Sequence, residues 1–214
     1  MARVVLDHLS EKYAIAQKRQ GLHLSSLIYC LTKAAFDERQ GRITPTDEET
    51  MLFSLGYGLQ GVLTPAAADT PVYEKDGITF SPDMILKIGD TELGEVKTTR
   101  ASSKKIMAGE FPETWLEYMK AGCFIREQNT YNLIVLCMMG NYSPPFPSIH
   151  GFTFSFEDDE LFETWDYVMC RKVVLLTNDR NTVPAPYKYC KDWECKGCRY
   201  KLVCESIVSA SKVK

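Results

Sequence analysis

The sequence predicts an α/β domain with a central mixed sheet flanked by helices, and two observations support this prediction. Apolar residues recur at helical spacing as far as Gly61, whereas residues 72–100 show the shorter period of strands. Further along the chain, helical segments follow apolar or alternating stretches, which is the order expected of a sheet covered by helices. Together these patterns favour one domain over residues 1–214.

The upstream part of the chain is predicted to form three helices. Residues 3–19 mix apolar and charged positions at helical spacing. A second helix, capped by Ser25 or Ser26, is expected to stop near Gly41. The third helix begins after Thr46 with acids in its first turn, where the helix dipole favours negative charge.

The rest of the chain is predicted to alternate strands and helices. Turns at Asp76-Gly77 and at Gly89-Asp90 separate the first strands. The expected elements are, in order, strands near residues 72–73, 78–80, 85–88 and 95–97, a helix after Pro112, strands over 131–139 and 149–156, and a helix over 158–176. The strand over 131–139 is almost entirely apolar, so we expect it near the centre of the sheet.

Composition and charge narrow the classes of function. The formal net charge of −3 argues against a protein that coats nucleic acid through bulk charge, although it permits a local basic groove. No apolar run approaches the roughly 20 residues that span a bilayer, and the charged N-terminal residues do not fit a signal peptide. We therefore expect no membrane partner and a cytoplasmic location. The sequence has no Walker-type phosphate loop, which argues against an ATPase.

Two carboxylates and a lysine form the first candidate site. Asp83 begins one predicted strand, and Glu95, Val96 and Lys97 lie on the next. Since strand side chains alternate between faces, Glu95 and Lys97 point the same way and Val96 points into the core. Carboxylates supply the oxygen ligands that Mg²⁺ or Mn²⁺ prefers, and a lysine beside the ion orients water and offsets charge on a phosphate. The pattern suits phosphodiester hydrolysis, but the polar face of a solvated hairpin also explains it.

The register of the hairpin decides between these interpretations. A two-residue turn at Gly89-Asp90 would place Asp83 opposite Val96, on the wrong face of the sheet. A three-residue loop centred on Gly89 would place Asp83 opposite Glu95 instead, and one centred on Asp90 would place it opposite Lys97. We therefore predict an odd-length loop or a β-bulge in this hairpin.

The same residues resemble the signature of a known family. The Pro-Asp pair ending at Asp83, followed by Glu95-Val96-Lys97, resembles the motif of the PD-(D/E)XK nuclease superfamily, and residues 93–99 are similar to its RecB-type branch. This resemblance implies a restriction-endonuclease-like core. It also implies that Asp83, Glu95 and the Val96 carbonyl hold Mg²⁺ or Mn²⁺ while Lys97 positions the attacking water.

Two further motifs of that branch are altered in this chain. Gln60 stands where the family has a metal-binding histidine, so an amide oxygen would replace an imidazole nitrogen. Tyr118 stands at the glutamine position of a Gln-xxx-Tyr helix, and Gly122 stands at its tyrosine position. We expect Glu117 or Tyr118 to face the site. The expected DNA contacts are Tyr118 and the basic residues after the active strand, Arg100, Lys104 and Lys105.

The cysteines form a second candidate site. Eight cysteines in a chain expected in the cytoplasm favour a metal or cluster site over disulfides, and four thiolates suit Zn²⁺ or a [4Fe–4S] cluster. Spacing alone favours the local set of Cys190, Cys195, Cys198 and Cys204. The last three also resemble the iron–sulfur trio of RecB-type exonucleases, including CRISPR-associated ones, which implies Cys30 as the fourth ligand. The remaining cysteines are expected to be small buried residues, namely Cys123, Cys137 and Cys170.

The resemblance implies a metal-dependent deoxyribonuclease, namely an exonuclease that acts on single-stranded DNA or DNA ends, with a structural iron–sulfur cluster. Residues 1–45 and 185–214 would together form the cluster-binding lobe. A CRISPR integrase or a recombination complex is the implied partner. Two alternatives stay open, a non-catalytic DNA-binding or complex-forming module that retains the nuclease fold, and a zinc-ribbon interaction protein without a nuclease core.

Overall fold

The computed structural model describes residues 3, 6–9, 11, 21–40, 46–64, 71–138, 147–177 and 182–211. Most of the predicted first helix therefore lies outside the described residues. No helix within these ranges is long and apolar enough to cross a membrane.

The described residues form seven strands and eight helices, whose ranges are as follows. The upstream elements are β1 (Leu22–His23), α1 (Leu24–Ile28), α2 (Leu31–Gln40) and α3 (Asp47–Leu63). They are followed by β2 (Tyr73–Lys75), β3 (Ile78–Phe80), β4 (Met84–Ile88), β5 (Thr91–Thr99), α4 (Ser103–Met107) and α5 (Glu113–Arg126). The last elements are β6 (Thr130–Cys137), β7 (Ser148–Ser155), α6 (Asp158–Thr177), α7 (Asp192–Lys196) and α8 (Lys201–Ser211).

A four-stranded mixed sheet lies at the centre of the fold. Its strand order is β4-β5-β6-β7, with β5 and β6 parallel and the two outer pairs antiparallel. The parallel pair needs a crossover, which α4 and α5 supply between β5 and β6. A second, three-stranded sheet has the order β1-β3-β2. The predicted mixed sheet flanked by helices is confirmed.

The core lies between the sheet and the helices α1, α5 and α6. Tyr131, Leu133 and Val135 alternate along β6 and are fully buried, as expected of a central strand. Leu27 of α1 and Val168 of α6 are equally inaccessible. Each such aliphatic side chain stabilises the fold by about 1.5–3 kcal/mol relative to an exposed one. The candidate site is carried by β5, which lies within this sheet and beneath the packed helices.

The predicted second helix is wrong in one respect, because it is interrupted. Tyr29 has extended backbone dihedral angles, which end α1 and leave Cys30 between α1 and α2. The predicted serine cap is also wrong, since His23 precedes α1 and no side chain caps that helix. By contrast, Thr46 caps α3 through the backbone N–H of Glu49, as its sequence predicts.

Helices from the two ends of the chain pack together. The rings of Phe36 on α2 and Tyr200 before α8 are stacked with centroids 4.9 Å apart. The Tyr200 hydroxyl donates a hydrogen bond of 2.6 Å to Asp37. Cys204 on α8 belongs to the same small buried cluster. Within the predicted lobe, α2 is therefore in direct contact with the start of α8.

Candidate active site

The β4–β5 hairpin sets the level of the two candidate carboxylates. Ile88 pairs with Thr91 across a two-residue turn, but the register then shifts, so that Ile85 pairs with Leu93 and Met84 with Gly94. One more residue along this register brings Asp83 level with Glu95. The predicted β-bulge is confirmed, and it places both carboxylates on the same face.

Asp83 is fixed by hydrogen bonds to both carboxylate oxygens. The backbone N–H of Val96 donates to Oδ2 at 2.9 Å. The side-chain amide of Gln60, which projects from α3, donates to Oδ1 at 2.8 Å. In this arrangement the amide nitrogen of Gln60 faces Asp83, so its oxygen reaches a cation only if the amide turns.

Glu95 is the most deeply buried acid of the site, with 3% of its surface exposed. Its Oε1 accepts a hydrogen bond from the Lys97 ammonium, and its Oε2 accepts one from the Tyr131 hydroxyl at 3.2 Å. The pKa of Glu95 is raised to about 7, chiefly by burial and next by the nearby charge of Asp83, whereas Lys97 and Tyr131 lower it. A cation bound beside Glu95 would stabilise the charged form of this carboxylate.

Lys97 stays charged in this environment. Burial lowers the pKa of Lys97, but the charges of Glu95 and Asp83, the nearby Tyr29 and the hydrogen bond to Glu95 together raise it above its ordinary value. The ammonium also lies 5.5 Å from the centre of the Tyr118 ring, in a cation–π geometry. A permanent positive charge therefore stands next to the two carboxylates.

Tyr118, not Glu117, faces the site. The Tyr118 hydroxyl donates to the carbonyl of Ser81 at 3.1 Å, two residues before Asp83. Glu117 pairs instead with Lys191, at 3.5 Å. Tyr118 therefore ties α5 to the segment that enters β4 while its ring underlies Lys97.

Two contributors were not identified from the sequence pattern. Tyr131 holds Glu95, and the only signal for it was a tyrosine hydroxyl at the start of an otherwise apolar strand, since a buried hydroxyl needs a partner. Phe80 packs against Gly122, so that a Cβ at position 122 would lie 2.6 Å from its ring. A bulky residue at position 122 would collide with that ring.

The predicted basic DNA contacts lie at the end of β5 and on α4. Arg100, Lys104 and Lys105 are exposed. Lys105 approaches Glu110 at 4.0 Å rather than a site carboxylate. These three side chains thus follow β5 along the chain and are open to solvent.

The cysteines of both candidate sets lie in one neighbourhood. The sulfurs of Cys190 and Cys195 are 3.4 Å apart. Burial raises the pKa of the Cys204 thiol to about 11, with further contributions from Cys198, Cys30 and Cys195. Burial also raises the pKa of Cys30, whose sulfur accepts a hydrogen bond from the Lys33 N–H at 3.4 Å. This geometry brings Cys30 and Cys190 to the trio alike, so it does not choose between them.

The other three cysteines divide into two kinds. Cys123 and Cys137 are buried, as predicted, but Cys170 is exposed. The prediction for Cys170 is wrong because its position on α6 faces solvent, although the surrounding sequence is apolar.

The donors present fit the expected cations by their chemistry. Within the described ranges, no group of three or more histidine, cysteine, aspartate or glutamate side chains is already arranged as a metal site. The pair Asp83 and Glu95 nevertheless offers hard oxygen donors whose mutual repulsion a divalent cation would relieve. The gathered thiols likewise offer the soft donors that Zn²⁺ or an iron–sulfur cluster requires.

Comparison with known proteins supports the fold. No protein-family model and no curated protein matches the sequence. The chain is similar to SSO0001, whose crystal structure aligns with a TM-score of 0.57 over 95% of both chains at 14% identity. It is also similar to an alkaline exonuclease, LHK-Exo from Laribacter hongkongensis, with a TM-score of 0.49 and 13% identity over 73% of this chain and 88% of that one. A phage-related exonuclease from Haemophilus somnus 129PT gives 0.44 and 10% identity over 71% and 91%.

These likenesses differ in what they establish. TM-scores below 0.5 do not by themselves establish a shared fold, and identities this low say nothing of shared chemistry. The alignment with SSO0001 spans nearly the whole of both chains. The helix-flanked mixed sheet of this chain is therefore a fold that it shares with SSO0001.

Proposed function

We propose that this protein is a metal-dependent DNA nuclease that hydrolyses phosphodiester bonds. One observation carries the proposal: the bulged hairpin brings Asp83 level with Glu95, and Lys97 lies beside Glu95 on the same face. Two acids and a charged lysine meeting at a covered sheet are difficult to explain as a solvated surface, since Glu95 is almost completely buried.

Each residue has a role in this proposal. Asp83, Glu95 and the Val96 carbonyl hold Mg²⁺ or Mn²⁺, with Gln60 as a further oxygen donor after its amide turns. The bound ion would polarise the phosphate and lower the pKa of a water molecule. Lys97 orients the attacking water and offsets negative charge on the phosphate, because its own pKa keeps it protonated. The Tyr131 hydroxyl fixes the Glu95 carboxylate by donating a hydrogen bond to Oε2.

The substrate class follows from the sequence resemblance described above. We propose an exonuclease that acts on single-stranded DNA or DNA ends, within a CRISPR integrase or a recombination complex. Tyr118, Arg100, Lys104 and Lys105 would contact the DNA, and the exposure of the three basic residues beside β5 supports this role.

The gathered cysteines are proposed to bind a structural [4Fe–4S] cluster, with Zn²⁺ as the alternative. Cys30, Cys195, Cys198 and Cys204 are the proposed ligands, and Cys190 is the alternative to Cys30. The thiols of Cys30, Cys195 and Cys198 lie near Cys204, and Cys190 contacts Cys195, so the choice of Cys30 over Cys190 rests on the sequence resemblance.

A cleavage assay tests the nuclease. Purified protein is incubated with end-labelled single- and double-stranded DNA, with Mn²⁺ or Mg²⁺ or with EDTA. We expect cleavage only with a cation, and a rate lower by about 100-fold or more in Asp83→Asn and Lys97→Met. Glu74→Gln is the matched control, because Glu74 is an exposed acid on β2. Undiminished cleavage by either site variant would refute the assignment.

A second candidate is a DNA-binding or complex-forming module that does not cleave. The hydrogen bonds that occupy both oxygens of Asp83, one of them from Gln60, favour it. Such a module would bind the labelled DNA in a gel-shift assay without cutting it in any cation. The nuclease and the module thus give opposite results with the unaltered chain.

A further inference from the structure

Arg171 is a buried arginine that donates hydrogen bonds to acceptors on several segments of the chain. It lies on α6 with 6% of its surface exposed. Its Nε donates to the carbonyl of Leu27, and its Nη2 donates to the carbonyls of Tyr29 at 2.6 Å and Tyr189 at 3.2 Å. Its Nη1 donates to the Tyr167 hydroxyl at 3.0 Å. A buried guanidinium needs such acceptors, since its desolvation is otherwise very costly.

Two of those carbonyls immediately precede cysteines of the thiol group. Tyr29 is followed by Cys30, and Tyr189 is followed by Cys190. One guanidinium nitrogen therefore binds the backbone at the entrance to both cysteine-bearing segments. The backbone N–H of Leu31 adds a third link, donating to Tyr189 at 3.3 Å.

Glu194 joins the same two segments from the other side. Its Oε1 accepts from the Cys30 N–H at 2.9 Å, across 164 positions of sequence, and its Oε2 accepts from the Lys191 N–H at 2.8 Å. Hydrogen bonds between protein groups thus link the segments that carry the thiols. Bringing such distant segments together costs conformational entropy, which these bonds help to offset.

We propose that Arg171 is the positioning residue of the thiolate site, which holds the Cys30 segment against the Cys190–Cys204 segment so that a cluster assembles on preorganised thiols. The inference rests on the proposed cluster and adds the residue that makes its long-range ligand available. Arg171 touches no sulfur in this role. It acts through the backbone of the residues before Cys30 and Cys190.

Chemical reconstitution with iron and sulfide under anaerobic conditions tests this role. Iron per chain and the visible absorbance of the cluster are measured, followed by the rate of cluster loss to EDTA. We expect Arg171→Met to lose the cluster about 10- to 100-fold faster than the unaltered chain, the effect usual for partners that orient metal ligands. Arg171→Lys should be intermediate, because one ammonium can replace the bonds of Nη2 but not also those that Nε and Nη1 donate to Leu27 and Tyr167.

Lys172→Met is the matched control. Lys172 is the next residue of α6 and also donates to a backbone carbonyl, that of Asp76, which is remote in sequence from the cysteines. It should retain iron like the unaltered chain. Circular dichroism of each variant without iron should show the same helix and strand content.

The outcomes are distinguishable. Iron retained by both Arg171 variants at the unaltered rate overturns the role of Arg171 but leaves the cluster intact. Absence of bound iron from the reconstituted, unaltered chain refutes the cluster itself and this role with it. Failure of both Arg171 variants to fold, while Lys172→Met folds, also overturns the inference, because Arg171 would then support the whole core.

Discussion

A methyl group added at Gly122 should destabilise the fold by pushing on one buried ring. Gly122 lies on α5, and its added Cβ would stand 2.6 Å from Cζ and 2.8 Å from Cε2 of Phe80. Phe80 has little room to move, since 1% of it is exposed and its ring packs against Tyr118 and Tyr73, with centroids 5.5 and 6.2 Å away. The collision must therefore be relieved by shifting α5 or the strand β3.

The size of the effect follows from two opposing contributions. Overpacking a dense core costs about 1–3 kcal/mol, and the contact of Gly122→Ala with three ring atoms favours the upper part of that range. Replacing glycine by alanine inside a helix returns roughly 1 kcal/mol. We expect a net loss of about 2 kcal/mol, which lowers the melting temperature of a domain of this size by roughly 4–8 °C.

Thermal and urea unfolding followed by circular dichroism measure this loss. Gly58→Ala is the matched control, because Gly58 lies on α3 with no atom within 4 Å of the added Cβ. That variant should gain about 0.5–1 kcal/mol from helix propensity. In the double variant Gly122→Ala/Phe80→Leu, the shorter side chain leaves room for the methyl group. The loss of stability in this variant should therefore be smaller than the sum of the losses in the two single variants. If Gly122→Ala were as stable as Gly58→Ala, the reasoning from packing would be refuted.

Two further predictions concern the acids of the candidate site. In metal-free buffer, the raised pKa of Glu95 means that its contribution to stability is present below pH 4.5 and is lost as pH rises through about 7. The free energy of unfolding of Glu95→Gln, relative to that of the unaltered chain, should therefore increase by on the order of 3 kcal/mol between pH 5 and pH 8. Urea unfolding measures this difference, and a difference that does not vary with pH would contradict the burial argument. Tyr131→Phe removes a hydrogen bond that favours the charged form of Glu95, so the pH midpoint of Mn²⁺-dependent cleavage should move upward by about one unit, whereas an unchanged pH profile would exclude this role of the hydroxyl.

Local sequence patterns predicted the central sheet and the pairing of Asp83 opposite Glu95 on its strands. The change of period located the strands, and the requirement that Asp83 and Glu95 share a face predicted the bulge that the register shows. That inference needed no knowledge of tertiary contacts, because alternation along a strand is a property of the backbone itself.

Long-range contacts explain what the sequence did not predict. The break between α1 and α2 falls at Tyr29 and Cys30, which are neither glycine nor proline, and the Tyr29 carbonyl is bound by Arg171 from α6. Tyr131 was likewise missed as a partner of Glu95, since the two residues come together only through the pairing of parallel strands. Contacts of this kind are determined by packing between distant elements and leave no periodic signal.

Because of the bulge in β4, the number of residues in that strand can change without altering the face on which Asp83 and Glu95 lie. Leu86 and Lys87 stand opposite the single residue Glu92, so one of them is surplus to the ladder. A shorter hairpin that lacked one of the pair would keep Asp83 level with Glu95, whereas the loss of one residue from the facing strand would turn Asp83 to the opposite side. We therefore expect a one-residue deletion to preserve the site in the strand that brings the aspartate and to disrupt it in the strand that brings the glutamate.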